Sequence, residues 1–169
     1  RRHPGLHVHG VVGDFHEHLA TVPSDGTPVL AFLGSTIGNF YPDERERFLR
    51  QVADWMTPSA WFLLGIDLVK PVDRLMAAYN DRDGVTAEFT LNLLDVLNRE
   101  LAADFDPDGF EHVGMWDPIH TRVDLRLRST RDQVVDIIGA DLVVEFGAGE
   151  ELCVEISTKF TDQQMTSEL

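Results

Sequence analysis

Residues 30–41, LAFLGSTIGNFY, and residues 62–70, FLLGIDLVK, share one pattern: a short apolar run breaks abruptly into small and polar positions. A buried parallel strand whose carboxyl end opens into a loop reads this way. Between the two lies PDERERFLRQVADWM, residues 42–56, with Pro at the first helical position and acids in the first turn. Its Phe48, Leu49, Val52, Trp55 and Met56 recur at helical spacing. Strand, loop, helix and strand make a βαβ unit. A right-handed crossover brings loops 34–39 and 67–70 to one edge of the sheet, the edge at which open α/β sheets bind ligands.

The apolar positions of residues 6–12, ending at Gly13-Asp14-Phe15, predict a further strand before a helix over 15–21. The first half is thus expected to hold strands at 6–12, 29–34 and 61–67, with helices at 15–21 and 43–56. The pattern then changes. TAEFTLNLLDVLNREL, residues 86–101, carries a broad stripe of Phe89, Leu93, Leu94, Val96, Leu97 and Leu101, with Gly84 before it and the Asp-, Pro- and Gly-containing loop 104–109 after it. Shorter segments at 110–116, 122–128, 133–138 and 151–160 alternate as strands with one wet face. The chain therefore divides near residue 70 into a parallel α/β part and an α+β part with an antiparallel sheet. It carries no internal repeat and no low-complexity tract.

Composition narrows the partners. The 169 residues carry 14 Lys plus Arg against 29 Asp plus Glu, a formal charge of −15. A field of that sign repels nucleic acid and anionic lipid, so neither a nucleic-acid nor a membrane partner is expected. No apolar run approaches the ~20 residues that cross a bilayer, and RRHPGLHVHG lacks the apolar core of a signal peptide. The single cysteine, Cys153, has no partner within the chain, and a reducing, cytoplasmic compartment is the expectation.

Several residues carry candidate chemistry, each with two readings. Gly34-Ser35-Thr36-Ile37-Gly38-Asn39 is either a tight βα turn or a loop that lets a ligand approach the backbone. It is neither a Walker loop nor the G-x-G-x-x-G dinucleotide fingerprint. Asp14 and Asp67, at strand ends, either cap a helix or bond a ligand. Five of the seven histidines, His3, His7, His9, His16 and His18, crowd the first 18 residues, but no Cys or carboxylate falls at a metal spacing and no metal site is expected. His7 and His9 would share one strand face. Tyr79 is either a core residue with a satisfied hydroxyl or a ligand contact. Glu155 and Ser157, two apart on a strand, share one face while Val154, Ile156 and Thr158 take the other. That face is either wet, or buried with a ligand or partner to satisfy it.

Four blocks in order, FLGSTIGNF, LLGIDLVKP, AYND…GVTAEFTLNLLDVLNRELAADF and GEELCVEISTKFT, resemble the SAM-dependent histidine Nα-methyltransferases of ergothioneine biosynthesis. The resemblance runs from about residue 8 to 161. It implies a partial Rossmann-type methyltransferase sheet with an inserted α+β substrate-binding domain: residues 1–70 in the first, 71–160 in the second, 161–169 returning to the first. The implied reaction is threefold methylation of the α-amine of L-histidine to the betaine hercynine, with S-adenosyl-L-methionine as co-substrate and no metal.

By the same resemblance Asp14 and Phe15 match the pair that contacts the adenine, and Gly34 and Ser35 belong to the cofactor-binding loop. Asn39 matches the asparagine that holds the amino and carboxylate end of the substrate. Tyr79 matches a tyrosine on the substrate carboxylate, and these two take the catalytic positions. Glu155 and Ser157 match the pair on the imidazole, and Leu125 stands where related enzymes have methionine beside that ring. Glu155, Ser157, Tyr79 and Asn39 should then surround one cavity. The family's first βα unit with its Gly-rich loop, the upstream aromatics of the substrate pocket and the closing strands have no counterpart in these residues. An internal fragment is expected, with the remaining N-terminal half of the enzyme as its partner. The alternative is a catalytically inactive ligand-binding or scaffolding piece of the same fold. A methyltransferase for another amine would alter the Glu155/Ser157 pair, which is present.

Overall fold

A computed structural model describes residues 5–23 and 26–169. Asp14 opens α1 (Phe15–His18), accepting the His16 N–H at 2.8 Å, and a 3₁₀ turn over Leu19–Thr21 follows. β1 (Val29–Phe32) runs through a second 3₁₀ turn, Thr36–Asn39, into α2 (Pro42–Trp55). β2 (Trp61–Leu64) then pairs parallel with β1, from Val29↔Trp61 to Phe32↔Leu64, so the expected βαβ unit is present. Helix α2 starts where it does because Pro42 needs no N–H partner and the Glu44 carboxylate returns to accept the Tyr41 N–H at 2.8 Å.

α3 (Val72–Tyr79) and α4 (Val85–Leu101) meet at a tight corner. There the Asp81 carboxylate accepts the N–H groups of Val85 at 2.9 Å and Thr86 at 2.8 Å, two donors that no preceding turn can satisfy. β3 (Phe110–Asp117) and β4 (Arg122–Ser129) come next, then the hairpin of β5 (Gln133–Ile137) and β6 (Leu142–Phe146). β7 (Glu151–Thr158) joins β4, so the antiparallel sheet runs β3-β4-β7, and α5 (Asp162–Glu168) ends the chain.

The architecture is mixed α/β with two apolar centres. Ile37, Phe40, Phe48 and Val52 bury against Leu19, Phe160 and Met165, with the rings of Phe15 and Phe32 packed alongside. Leu94, Phe105, Phe110, Leu127, Val135, Ile137 and Phe146 form the second, and Leu75, Val123 and Leu125 continue it under α3. Phe160 and Met165 thus lie in the core of the βαβ unit although the sheet before them belongs to the other part.

Four expectations are corrected. Residues 6–12 form no strand; Leu6, Val8, Val11 and Val12 are exposed, and no described strand runs beside them to complete a ladder. His7 and His9 therefore share no strand face, and His3 lies outside the described residues. The helix over 15–21 splits into one α turn and one 3₁₀ turn. α3, β6 and α5 are additions to the sequence-based assignment. Finally, β7 carries a bulge between the pairs Leu125↔Glu155 and Arg126↔Cys153, leaving Val154 as the extra residue. Val154 consequently packs with Leu75, Val123 and Leu125 rather than on the opposite face.

At Gly38 an added Cβ would lie 2.8 Å from the carbonyl oxygen of Thr158, a backbone atom that cannot swing aside. Gly38→Ala should therefore destabilise the protein by roughly 1–3 kcal/mol, the usual cost of overpacking. A urea midpoint equal to that of the wild type would contradict this. The Asp81 hydrogen bonds, with the Thr86 side chain the largest contributor, hold its carboxyl at about 2 against an ordinary 3.8. A lowered pKa stabilises the fold above the ordinary value and is lost as pH falls through the folded one. Asp81→Ala should lower the melting temperature at pH 7, and the gap to wild type should shrink as pH falls from 3.8 towards 2.

Candidate active site

The loops at the carboxyl ends of β1 and β2 face the middle of β7 across a polar cavity of about 480 Å³. Gly34, Ser35, Thr36 and Asn39 line it from the first loop, Gly65, Ile66 and Asp67 from the second. Tyr79, at the end of α3, and Glu155, Ser157 and Lys159 close it from the other side. The close approach at Gly38 holds the first loop against β7. The bulge at Val154 matters equally, because it sets Glu155 opposite Leu125 and Ser157 opposite Val123 on the helix-covered face.

Asn39 Nδ2 donates to Glu155 Oε1 at 3.2 Å, joining the two halves of the cavity wall. Burial pushes the Glu155 carboxyl up, and the Lys159 charge and the Asn39 hydrogen bond offset this only in part. With its amide nitrogen engaged there, Asn39 keeps a carbonyl oxygen with acceptor capacity. Tyr79 Oη and Ser157 Oγ lie 2.8 Å apart, and the buried Lys159 ammonium donates to both at 2.6 Å. Its third neighbour is Asp67 Oδ2 at 3.2 Å; Asp67 also pairs with Lys70. Partial burial pushes the Asp67 carboxyl up, but the hydrogen bond from Lys70 and the charge of Lys159 outweigh it, leaving the group below its ordinary value. Asp67 is a ligand of lysines rather than a helix cap.

Six of the nine residues to which the resemblance gives a role thus meet in one place: Gly34, Ser35, Asn39, Tyr79, Glu155 and Ser157. Ser35 adopts a left-handed conformation, φ +59°, and its Oγ accepts the Asp67 N–H at 2.8 Å, tying the two strand-end loops together. Leu125 lies beneath Glu155 as a buried neighbour and does not line the cavity. Asp14 and Phe15 sit apart, beside a small hollow of about 110 Å³ shared with Val11, Gly13 and His18. Asp14 caps α1, which is the capping alternative, while the half-exposed Phe15 ring stacks on Phe40. His18 Nδ1 lies 3.0 Å from the Asp14 amide nitrogen, and no group of three or more His, Cys, Asp or Glu able to hold a metal occurs among the described residues.

The residue that sequence reasoning passed over is Lys159. Its signal was present: Glu155, Ser157 and Lys159 alternate along one strand, and a lysine between Thr158 and Phe160 in a core-bound segment calls for partners.

The whole chain, residues 1–169, matches the family model described as histidine-specific methyltransferase, SAM-dependent. It is 47% identical over 167 residues to the histidine N-alpha-methyltransferase of Mycolicibacterium smegmatis, covering 99% of this chain and 52% of that protein. It is also 47% identical over 169 residues to the protein of that name from Mycobacterium tuberculosis, covering 100% and 53%. A 60-residue stretch is 42% identical to ergothioneine biosynthesis protein 1 of Neurospora crassa, 36% of this chain and 7% of that protein. The chain spans about half the length of the curated methyltransferases it matches. Matched from end to end and carrying a polar cavity at the strand ends of its βαβ unit, the chain belongs to the SAM-dependent histidine-specific methyltransferase family.

Proposed function

We propose that these residues form the histidine-binding part of an N-methyltransferase that converts the α-amine of L-histidine to its trimethylated betaine, hercynine, with S-adenosyl-L-methionine as methyl donor. The observation that carries the reading is the convergence of a carboxylate, two hydroxyls and a carboxamide from three separate elements on one cavity: Glu155 and Ser157 of β7, Tyr79 of α3 and Asn39 of the 3₁₀ turn. A free amino acid with a ring bearing two nitrogens calls for this set. Glu155 accepts from one imidazole nitrogen and Ser157 meets the other, while the Tyr79 hydroxyl serves the carboxylate and the Asn39 carbonyl oxygen accepts from the amine.

The arrangement of the chain supports a Rossmann-type sheet formed by residues 1–70 and 161–169, with 71–160 inserted as an α+β substrate-binding domain. Met165 packing beside Ile37, Phe40 and Phe48 favours the return of residues 161–169 to the first part. Residues Gly34 and Ser35, both at positive φ beside the cavity, fit a ligand that approaches the backbone closely. The half-exposed ring of Phe15 with the adjoining Asp14 fits the adenine. S-adenosyl-L-methionine supplies an electrophilic methyl on its sulfonium. This chain's residues orient an uncharged amine towards it and keep that amine away from bulk water. No helix among the described residues is long and apolar enough to cross a membrane, and a cytoplasmic location accords with the reduced, unpaired Cys153.

Isothermal titration of L-histidine into the full-length protein tests the assignment. Glu155→Ala should weaken binding by on the order of 2 kcal/mol, the loss of a hydrogen bond to a charged group. Equal affinity of variant and wild type would remove Glu155 from the imidazole.

The raised pKa of Glu155 makes a second prediction with the opposite sign for stability. Where the folded pKa lies above the unfolded one, the native state holds the proton longer, so the charged form costs stability as pH rises from the ordinary 4.5 through the folded value. Glu155→Gln keeps the acceptor for Asn39 and lacks the charge. The ligand-free variant should therefore melt above the wild type at pH 7 and match it below pH 4.5. A lower melting temperature at pH 7 would contradict the sign.

A further inference from the structure

Lys159 is 1% exposed, yet it carries an ammonium. Such a group persists in an interior when its donors and its charge are met, and here Tyr79 Oη and Ser157 Oγ accept its hydrogen bonds and Asp67 Oδ2 pairs with its charge. Its charge is only partly cancelled. Asp67 is shared between Lys159 and Lys70, so the cluster of two cations and one anion keeps one net positive charge. Glu155, the other carboxylate of the cavity, bonds Asn39 and makes no ion pair with Lys159.

The hydrogens can be counted. Tyr79 and Ser157 own one hydroxyl hydrogen each, and both oxygens already accept from Lys159. One of these hydrogens fills the 2.8 Å contact between the two oxygens, which leaves the other to face the cavity. A hydroxyl that accepts from an ammonium is polarised and donates more strongly. The Lys159 side of the cavity therefore offers one strong donor backed by a positive charge, while the Glu155 side offers an acceptor. A carboxylate fits the first and an N–H donor the second.

We propose that Lys159 is a positioning residue that, by holding both hydroxyls, turns the Tyr79 hydroxyl into a carboxylate receptor and leaves Ser157 to the ring, so that the cavity selects ring-bearing amino acids over the corresponding amines. The inference rests on the reading of this cavity as the histidine site. Lys159 acts through the two hydroxyls and does not touch the ligand.

The experiment compares L-histidine with histamine, which lacks only the carboxylate, by calorimetric titration of the full-length protein. Lys159→Met should weaken histidine roughly tenfold or more, as expected for a charge-assisted contact, and leave histamine within about twofold. In a Tyr79→Phe background the same substitution should add little, since the relay is already broken. Equal loss for both ligands would mark Lys159 as merely structural and overturn the inference, as would unchanged histidine affinity. If circular dichroism shows Lys159→Met to be unfolded, Lys159→Gln and Tyr79→Phe carry the same comparison, with the same two outcomes against it. An intact Lys159 effect with no effect of Glu155→Ala would overturn the imidazole assignment alone. A wild type that binds neither ligand would overturn the histidine reading and this inference with it.

Discussion

The approach of the 3₁₀ turn Thr36–Asn39 to the end of β7 is the contact on which the site depends. Gly38 meets the Thr158 backbone without room for a methyl group, and two residues later Phe160 exchanges hydrogen bonds with the loop after β2. The Phe160 N–H donates to the Asp67 carbonyl at 2.8 Å, and the Val69 N–H donates to the Phe160 carbonyl at 3.0 Å. These backbone contacts bring a strand of the antiparallel sheet to the strand ends of the parallel pair. Only then do Glu155 and Asn39 lie within hydrogen-bond distance, although they are 116 residues apart in the chain.

β7 serves both parts at once. Its Leu152 and Val154 pack into the core under α4, its Glu155, Ser157 and the following Lys159 form one wall of the cavity, and Phe160 enters the core around α2. Burial raises the Glu155 carboxyl in this polar wall, which is flanked on either side by apolar cores. Burial works against the charge at Glu155, whereas the Lys159 ammonium is held by three partners.

The other face of the β3-β4-β7 sheet is organised by charge. Asp124, almost wholly buried, accepts from Arg122 and Arg126 at 2.7 Å each, and Glu151 bridges Arg126 to Arg128. Hydrogen bonds donated to Asp124 and Glu151 raise the Arg126 guanidinium above its ordinary value. A one-residue slip of β4 would carry this ladder into the apolar core and Leu125 and Leu127 into its place, so the same charges that satisfy one another specify the register. That register in turn aligns Leu125 with Glu155 and Val123 with Ser157 beneath the cavity.

Much of this was legible in the chain. The βαβ unit follows from two apolar runs around an amphipathic helix with Pro42 at its start, and α4 follows from its stripe and from Gly84, because local periodicity and capping act over a few residues. The helix α5 was equally written there, in Thr161 and the Gln164 that returns to its N–H, as α3 was in Pro71 and the spacing of Leu75, Met76 and Tyr79. Period-two alternation placed Glu155 and Ser157 on one face, but it could not reveal the bulge that turns Val154 to the same side, because a bulge is a property of the pairing with β4. Residues 6–12 have the apolar content of a strand and form none, since a strand exists only where a neighbour completes its hydrogen bonds. The sequence by itself determined the βαβ unit, α4 and the strand on which Glu155 and Ser157 share a face. Only the tertiary structure decided that Lys159 lies under Tyr79 and Ser157, because burial and charge pairing depend on contacts between residues some 80 positions apart, which no local pattern encodes.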